Sequence, residues 1–334
     1  MRGGRMMGLL AACLMLAGGA ARAEPVKIRI AWVIPVGNWA SILYEKKDLM
    51  THYGKTYEVE PVHFQSTPAM ISALATGQLE IADLAYSAFG IAVENAGLTD
   101  LRIIADEGQD GAHGHRSSAY YVLKDGPVKT IDDLKGKVLA TVAVGSAVDI
   151  PVRALLRRHG LESPRDYTVV EAGFPNMNAM LLDHKVDFIP SVEPYALDPR
   201  LLENGRILFR IEDALGGPTQ LVVWTARAGF IAEHRAAMVD LLEDAIRAVH
   251  FLLDPKNHDE VVGIAARLAH QPPAAVAYAF TSADGYRDPN MLPDIPTFQR
   301  ALDAQHGVGL LKAPLNAADY ADVSLVKEAA ARAE

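Results

Sequence analysis

The chain has 334 residues, a formal net charge of −9 and a single cysteine, Cys13. An acidic balance without any basic run argues against nucleic acid as a partner, and one cysteine excludes disulfides and paired-thiolate metal sites. Beyond the leader no segment approaches the ~20 uninterrupted apolar residues that cross a bilayer, while about 310 residues suffice for two α/β lobes.

The leader comes first in chain order. Arg2 and Arg5 make a basic start, Met6 to Leu16 is apolar, and Ala21-Arg22-Ala23 is a small-x-small cleavage site. Residues 1–23 therefore read as a removable secretory signal, which predicts export to the periplasm. The alternative is a lipid anchor at Cys13, preceded by Leu10-Ala11-Ala12; the short apolar stretch before Cys13 argues for cleavage instead.

Alternating apolar residues predict a strand over Val26 to Trp32. Pro35-Val36-Gly37-Asn38 is a turn, with Asn38 the N-cap of a helix from Trp39 to about His52. A strand from Tyr57 to Phe64 leads to a helix through Ala75, with Thr67 as N-cap and Pro68 in the first helical position. Leu79 to Ala85 reads as the third strand. This alternation implies a mostly parallel sheet covered on both faces.

The same grammar returns after residue 125. A strand at Val138 to Val142 precedes a loop at Gly145-Ser146 and a helix to about Arg158. Another strand spans Tyr167 to Val170, Asn176 starts a helix to about Asp183, and Val186 to Ile189 closes the unit. Leu79-Glu80-Ile81-Ala82 and Val186-Asp187-Phe188-Ile189 occupy corresponding places in the two units. Ser117 to Leu123 and Gln220 to Thr225 are the expected crossings between lobes, giving lobe one as 24–116 with 226–334 and lobe two as 117–225. Helices are expected over Glu233 to Leu253, Asp259 to Leu268 and the tail after Ala317.

Ligands of open α/β sheets bind beyond the carboxyl ends of strands, where helix N-termini offer unpaired N–H groups. In lobe one that rule selects Val36, Gly37, Asn38, Trp39, Ser66, Thr67, Tyr86 and Ser87. In lobe two it selects Gly145, Ser146, Ala147, Pro175, Asn176, Glu193 and Tyr195. Hydroxyls, an amide and a few aromatics suit capture of a small molecule better than chemistry. Several of these residues have a purely structural reading: Ser66, Thr67 and Asn176 as helix caps, Gly145-Ser146 as a turn, Trp39 as core, Glu193 as a surface carboxylate. His113 and His115 flank Gly114 in a polar loop beginning near Glu107 and lack a third metal ligand at useful spacing. Arg116 is a candidate partner for an anion or for an acid of the other lobe. No phosphate-cradling loop, G-x-S-x-G elbow or H-E-x-x-H motif is present, and neither a cofactor nor a catalytic residue is expected.

Four segments carry a family resemblance: Ile28 to Trp32, Ala73 to Ala82, Ile131 to Val138 with Gly145-Ser146, and Val186-Asp187-Phe188 with Glu193-Pro194. In this order they resemble the nitrate/sulfonate/taurine-type substrate-binding proteins of ABC importers, the NMT1/THI5-like group. The resemblance implies a periplasmic-binding-protein-like type II α/β fold, two Rossmann-like lobes with a hinge of two crossing segments. It also implies delivery of the ligand to an inner-membrane permease; the expected carrier is a monomer that closes on a small anionic ligand, such as a sulfonate, taurine, nitrate or an aromatic carboxylate. Contacts would come from the loops at Trp39, Ser66-Thr67, Ser87, Gly145-Ser146 and Glu193. The chain departs from the family pattern at Glu80, where aspartate is usual, and at Asp187-Phe188-Ile189-Pro190, where small residues are usual. A ligand sensor for a receptor, and an enzyme on the same fold, are the alternatives.

Overall fold

The computed structural model describes residues 24–65 and 67–333. The expected leader with Cys13, and Ser66 among the expected contacts, lie outside the described residues.

Among the described residues ten strands follow in chain order: β1 (Val26–Trp32), β2 (Tyr57–His63), β3 (Ile81–Ala85), β4 (Leu101–Asp110), β5 (Ser118–Leu123), β6 (Val138–Thr141), β7 (Thr168–Glu171), β8 (Ile189–Val192), β9 (Gly205–Arg210) and β10 (Thr219–Arg227). The helices are α1 (Trp39–Ile42), α2 (Thr67–Ala75), α3 (Tyr86–Glu94), α4 (Asp149–Arg158), α5 (Phe174–Leu182), α6 (Pro199–Asn204), α7 (Ile211–Leu215), α8 (Ala228–Leu253), α9 (His258–Ala269), α10 (Pro273–Val276), α11 (Ile295–Gly307) and α12 (Ser324–Ala333).

The first sheet has the order β2-β1-β3-β10-β4, with β1, β2 and β3 parallel and β10 antiparallel to both neighbours. In the second, β6 and β7 pair in parallel and β5 runs antiparallel between β8 and β9. The residues just before β8 join these two groups: Asp187 N–H donates to Val138 O at 2.8 Å, and Ala140 N–H to Phe188 O at 2.9 Å. The second layer thus runs β7-β6-β8-β5-β9, repeating the first with β5 in the place of β10.

The short internal echo has a physical basis in this repeat. Glu80 N–H donates to Arg29 O at 3.1 Å, and its carboxylate accepts from Arg29 N–H at 2.7 Å. Asp187 does the same to Val138, its carboxylate accepting from Val138 N–H at 2.9 Å. In each unit an acid ahead of the third strand satisfies the backbone of the first strand on both sides. Glu80, the departure from the family pattern, also reaches the Arg29 guanidinium, with Nε at 2.8 Å.

Several expectations are corrected. The helix expected from Trp39 to His52 is only α1 followed by a 3-10 segment, Leu43–Leu49, broken at Lys46 (φ −109°, ψ 46°). Trp39, Ala40, Ile42, Leu43 and Tyr44 are all buried, and nearly consecutive apolar residues do not fit one helical stripe. Helix α5 begins at Phe174, with Gly173 as N-cap, so Asn176 lies within it. The polar loop expected from Glu107 is instead the end of β4, where Asp106, Glu107 and Asp110 are buried.

The crossings also fall elsewhere. Ser118–Leu123 is β5, inside the second sheet, and Gln220 to Thr225 belongs to β10, inside the first. Strands paired on both sides cannot serve as connections, so the chain changes sheet at 111–117 and at 211–218. Glycines in the left-handed region sit at both places, Gly111 (φ 75°) and Gly216 (φ 79°).

One core lies between the first sheet and α8, α9 and α12, centred on Trp224, Leu242 and Ile246. Another covers the opposite face with α2, α3 and α11, and continues into the second layer through Tyr120, Leu139, Phe188 and Phe209. A third buries Met177 and Leu181 of α5 against the remaining face of the second sheet. Helix α11 packs on α3 and β10 and also on α4 and α7, so it spans both layers.

Candidate functional site

The carboxyl ends of β1, β3 and β4 and of β6, β7 and β8 face a common seam, and the expected residues distribute along it unequally. Asn38 folds the turn after β1: its Oδ1 accepts from Val33 N–H at 3.0 Å and Ile34 N–H at 2.7 Å. That role is structural, and the side chain does not cap α1. Trp39 is fully buried. Its backbone N–H donates to Glu107 Oε1 at 2.6 Å, its indole N–H to Asp106 O at 3.0 Å, and its ring stacks on Phe280 at 5.9 Å. Thr67 is the first residue of α2 and half-buried. Asn176 is exposed.

Other expected residues meet across the seam. The Tyr86 hydroxyl, from the start of α3, donates to Ala147 O at 3.0 Å. Tyr120 on β5 donates to the next carbonyl, Val148 O, also at 3.0 Å. Two buried tyrosines thus hold the loop between β6 and α4 from both sides. In that loop Gly145 takes φ 82° and its N–H donates to Asp149 Oδ2 at 2.8 Å. The Ser146 hydroxyl is buried and finds no partner among the described residues. Ser87 is buried in the first turn of α3, and its carbonyl accepts from Gln305 of α11 at 2.9 Å. Ala85, the N-cap of α3, has no side-chain capping bond to offer, which leaves that helix N-terminus without a side-chain cap among the described residues.

At the end of β8 Glu193 and Tyr195 face the crossing. Tyr195 stacks on Phe174 at 6.1 Å. Glu193 Oε2 is sequestered and has no partner among the described residues. Burial pushes the Glu193 carboxyl up to about 8, with Asp284 and Asp110 adding to the shift and Arg210 opposing it.

Other residues, outside the expected set, lie beside these. In the stretch between α10 and α11, the Arg287 guanidinium lies 5.3 Å from the Trp39 ring and 4.9 Å from Phe280. It also pairs with Asp284 at 2.7 Å and donates to Gly37 O at 3.3 Å. Tyr278 lies nearby, its hydroxyl pushed up to about 12 by burial, with Asp284 and Glu193 contributing. Asp110 closes β4: its Oδ1 accepts from the Ser117 and Gly111 N–H groups at 2.7 and 3.1 Å, and its Oδ2 has no partner among the described residues. For Tyr278, Asp284 and Arg287 the sequence signal is a cluster of aromatic and charged residues from Tyr278 to Asp288, in a stretch without helical or strand period.

The remaining candidates resolve into structural roles. Arg116 pairs with Glu212 of α7 at 2.6 Å, tying one crossing to the other. His113 and His115 both lie against Tyr286, with ring centroids at 4.4 and 5.5 Å. On the outer face of the first sheet His52, Asp240 and Glu243 place ligating atoms within 4.8 Å of one another. Arg332 and Arg247 already pair with those carboxylates, which weakens any case for a metal there. No helix among the described residues is long and apolar enough to cross a membrane.

The family model described as the NMT1-like family matches residues 21–266. A comparison with curated protein sequences finds no match. The alkanesulfonate-binding protein SsuA from Xanthomonas axonopodis pv. citri bound to MOPS is similar in fold, at 19% identity and TM-score 0.67, with 90% of this chain and 99% of that one covered. The periplasmic nitrate-binding protein NrtA from Synechocystis PCC 6803 aligns at 16% identity and TM-score 0.68, covering 93% and 90%. The desulfurization enzyme DSZB aligns at 15% identity and TM-score 0.66, covering 92% and 100%. The expected periplasmic-binding-protein-like α/β fold is the fold of this chain.

Proposed function

The chain belongs to the NMT1-like family, and on that premise we propose that it captures a small organic solute between its two α/β layers and delivers it to an ABC importer in the periplasm. One observation carries the reading. Along the seam the layers already touch through Tyr86 and Ala147, while the adjoining Ser146 hydroxyl is buried with no partner among the described residues. A buried hydroxyl without a partner costs about 1–3 kcal/mol unless something bonds to it. A solute acceptor beside the N-terminus of α3 supplies that bond, and an acid group suits both the hydroxyl and the helix end. Transfer to a permease would follow recognition of the closed form by a monomeric carrier.

An enzymatic role is the second reading, favoured by the likeness to a desulfurization enzyme. A thermal-shift screen against small sulfonates, carboxylates and their amino derivatives separates the two. A bound solute well above its Kd stabilises the fold by about 2–3 kcal/mol, and a carrier returns it unchanged on denaturation. Ser146→Ala should weaken that solute about tenfold, the scale of one buried hydrogen bond. A hit converted to product would sink the carrier role, and unaltered affinity in Ser146→Ala would remove this hydroxyl from the site.

A further inference from the structure

Three carboxylates gather where the chain first changes sheet. Ser118 pairs with Val192 in the β5–β8 ladder, which sets Glu193 beside Ser117. The Ser117 N–H is bound by Asp110. Gly285 approaches the same serine so closely that a Cβ there would lie 3.3 Å from its Oγ, which brings the neighbouring Asp284 to this point. Asp110 is 0% exposed and Asp284 8% exposed. Arg287 is engaged by Asp284 and Gly37, leaving Arg210 as the other cation facing the group. Asp110 Oδ2 and Glu193 Oε2 are both enclosed acceptors with no donor among the described residues.

Acceptors of this kind call for a donor that brings positive charge. The three side chains do not form a set with ligating atoms within 4.8 Å, as a shared metal ion would need. The nearby surfaces are aromatic: Tyr278 on one side, Tyr195 stacked on Phe174 on the other. An ammonium group satisfies the carboxylates and is attracted to aromatic faces as well. Resting on the reading of solute capture, we infer that the captured solute carries a protonated amine, held by Glu193 and Asp110 at the seam. Its acid group then lies towards Ser146 and α3, so the solute is a zwitterion rather than a simple anion.

The test uses matched pairs that differ only by the amine: 3-aminopropanesulfonate and propanesulfonate, β-alanine and propionate, phenylalanine and 3-phenylpropionate. Calorimetry on the full mature chain should show an amino member binding at least about tenfold more tightly than its partner, the scale of a charge-assisted hydrogen bond. The isosteric Glu193→Gln should remove about tenfold of that affinity and so narrow the gap between the amino and desamino members of a pair.

A second readout needs no variant. Burial holds the free Glu193 protonated near neutrality, with Asp110 and Asp284 adding to it, Arg210 opposing it, and Tyr121 and Tyr278 beside it. An arriving ammonium expels that proton. Amine affinity should therefore climb between pH 6 and about 8, by at most about tenfold per unit, with proton uptake by the buffer. Equal affinity within every pair overturns the inference, as does pH-independent amine binding without proton release. Failure of all three amines also overturns it, while the wider screen decides separately whether any solute is captured.

Discussion

At the residue scale the dominant feature is a row of carboxyls inside the first sheet. Asp83 on β3 and Glu107 on β4 flank Trp224 of β10 on one face, since Trp224 pairs with Asp83 and Ala105 in the ladders. Burial raises both; the Glu107 charge adds to the rise of Asp83, and the Asp106 charge to that of Glu107. Asp106 is pushed up to about 7 by burial, against the bonds it accepts from Gln220 and Asp288, and Asp110 to about 6. A carboxyl whose folded value exceeds its unfolded one retains its proton longer in the native state. Its contribution is fully present below the unfolded value, near 4, and is lost as pH rises through the folded one. Thermal stability should therefore fall between about pH 4 and pH 7 as Asp110 and Asp106 ionise. Glu107→Gln keeps an acceptor for Trp39 N–H and removes one ionisation. It should raise Tm relative to the wild type at pH 8 and leave it unchanged at pH 4, as read by calorimetry; the same increment at both values would rule out a charge effect. Little of this was legible beforehand. Asp-Glu-Gly-Gln-Asp reads as a solvated loop, and only pairing with β10 supplies the buried partners that make it a strand.

At the scale of elements the contact between α3 and the loop after β6 couples the two layers. Tyr86→Phe deletes the hydroxyl that bridges to Ala147 and leaves the ring in place. One hydrogen bond of about 1 kcal/mol corresponds to about fivefold in an equilibrium. If that bond belongs to the closed form, solute affinity should drop about fivefold while circular dichroism stays unaltered; wild-type affinity would show that the bridge does not favour closure. The strands with regular alternation, β1 and β2, were legible within a residue, because local pattern alone decides a half-buried strand. Helix α1 was not, since which of five buried residues point inward depends on β4 and α9, both distant in sequence. Gln220 shows the same dependence. Its side chain bonds Asp106, Gly108, Val222 and Asp294, three of them far along the chain.

At the scale of the whole molecule the two layers are joined by residues 111–117 and 211–218, tied by Arg116 and Glu212. Left-handed glycines at 111 and 216 let those segments bend without strain. Saturating solute should reduce the radius of gyration in small-angle scattering, and an unchanged profile at saturation would argue against closure. The sequence by itself determined the α/β class, the two repeated units and the loops from which Tyr86, Ser146 and Glu193 project, because alternation, caps and turns are local signals. Only the tertiary structure decided where the chain crosses and that β5 and β10 are exchanged between sheets. It also decided that Asp284 and Arg287 pair beside Trp39 and that Asp110 is buried at the end of β4. Those outcomes depend on pairing between segments far apart in the chain, such as Ser118 with Val192 and Thr219 with Asp110, and burial of a charge is a property of the assembled neighbours rather than of the stretch that carries it.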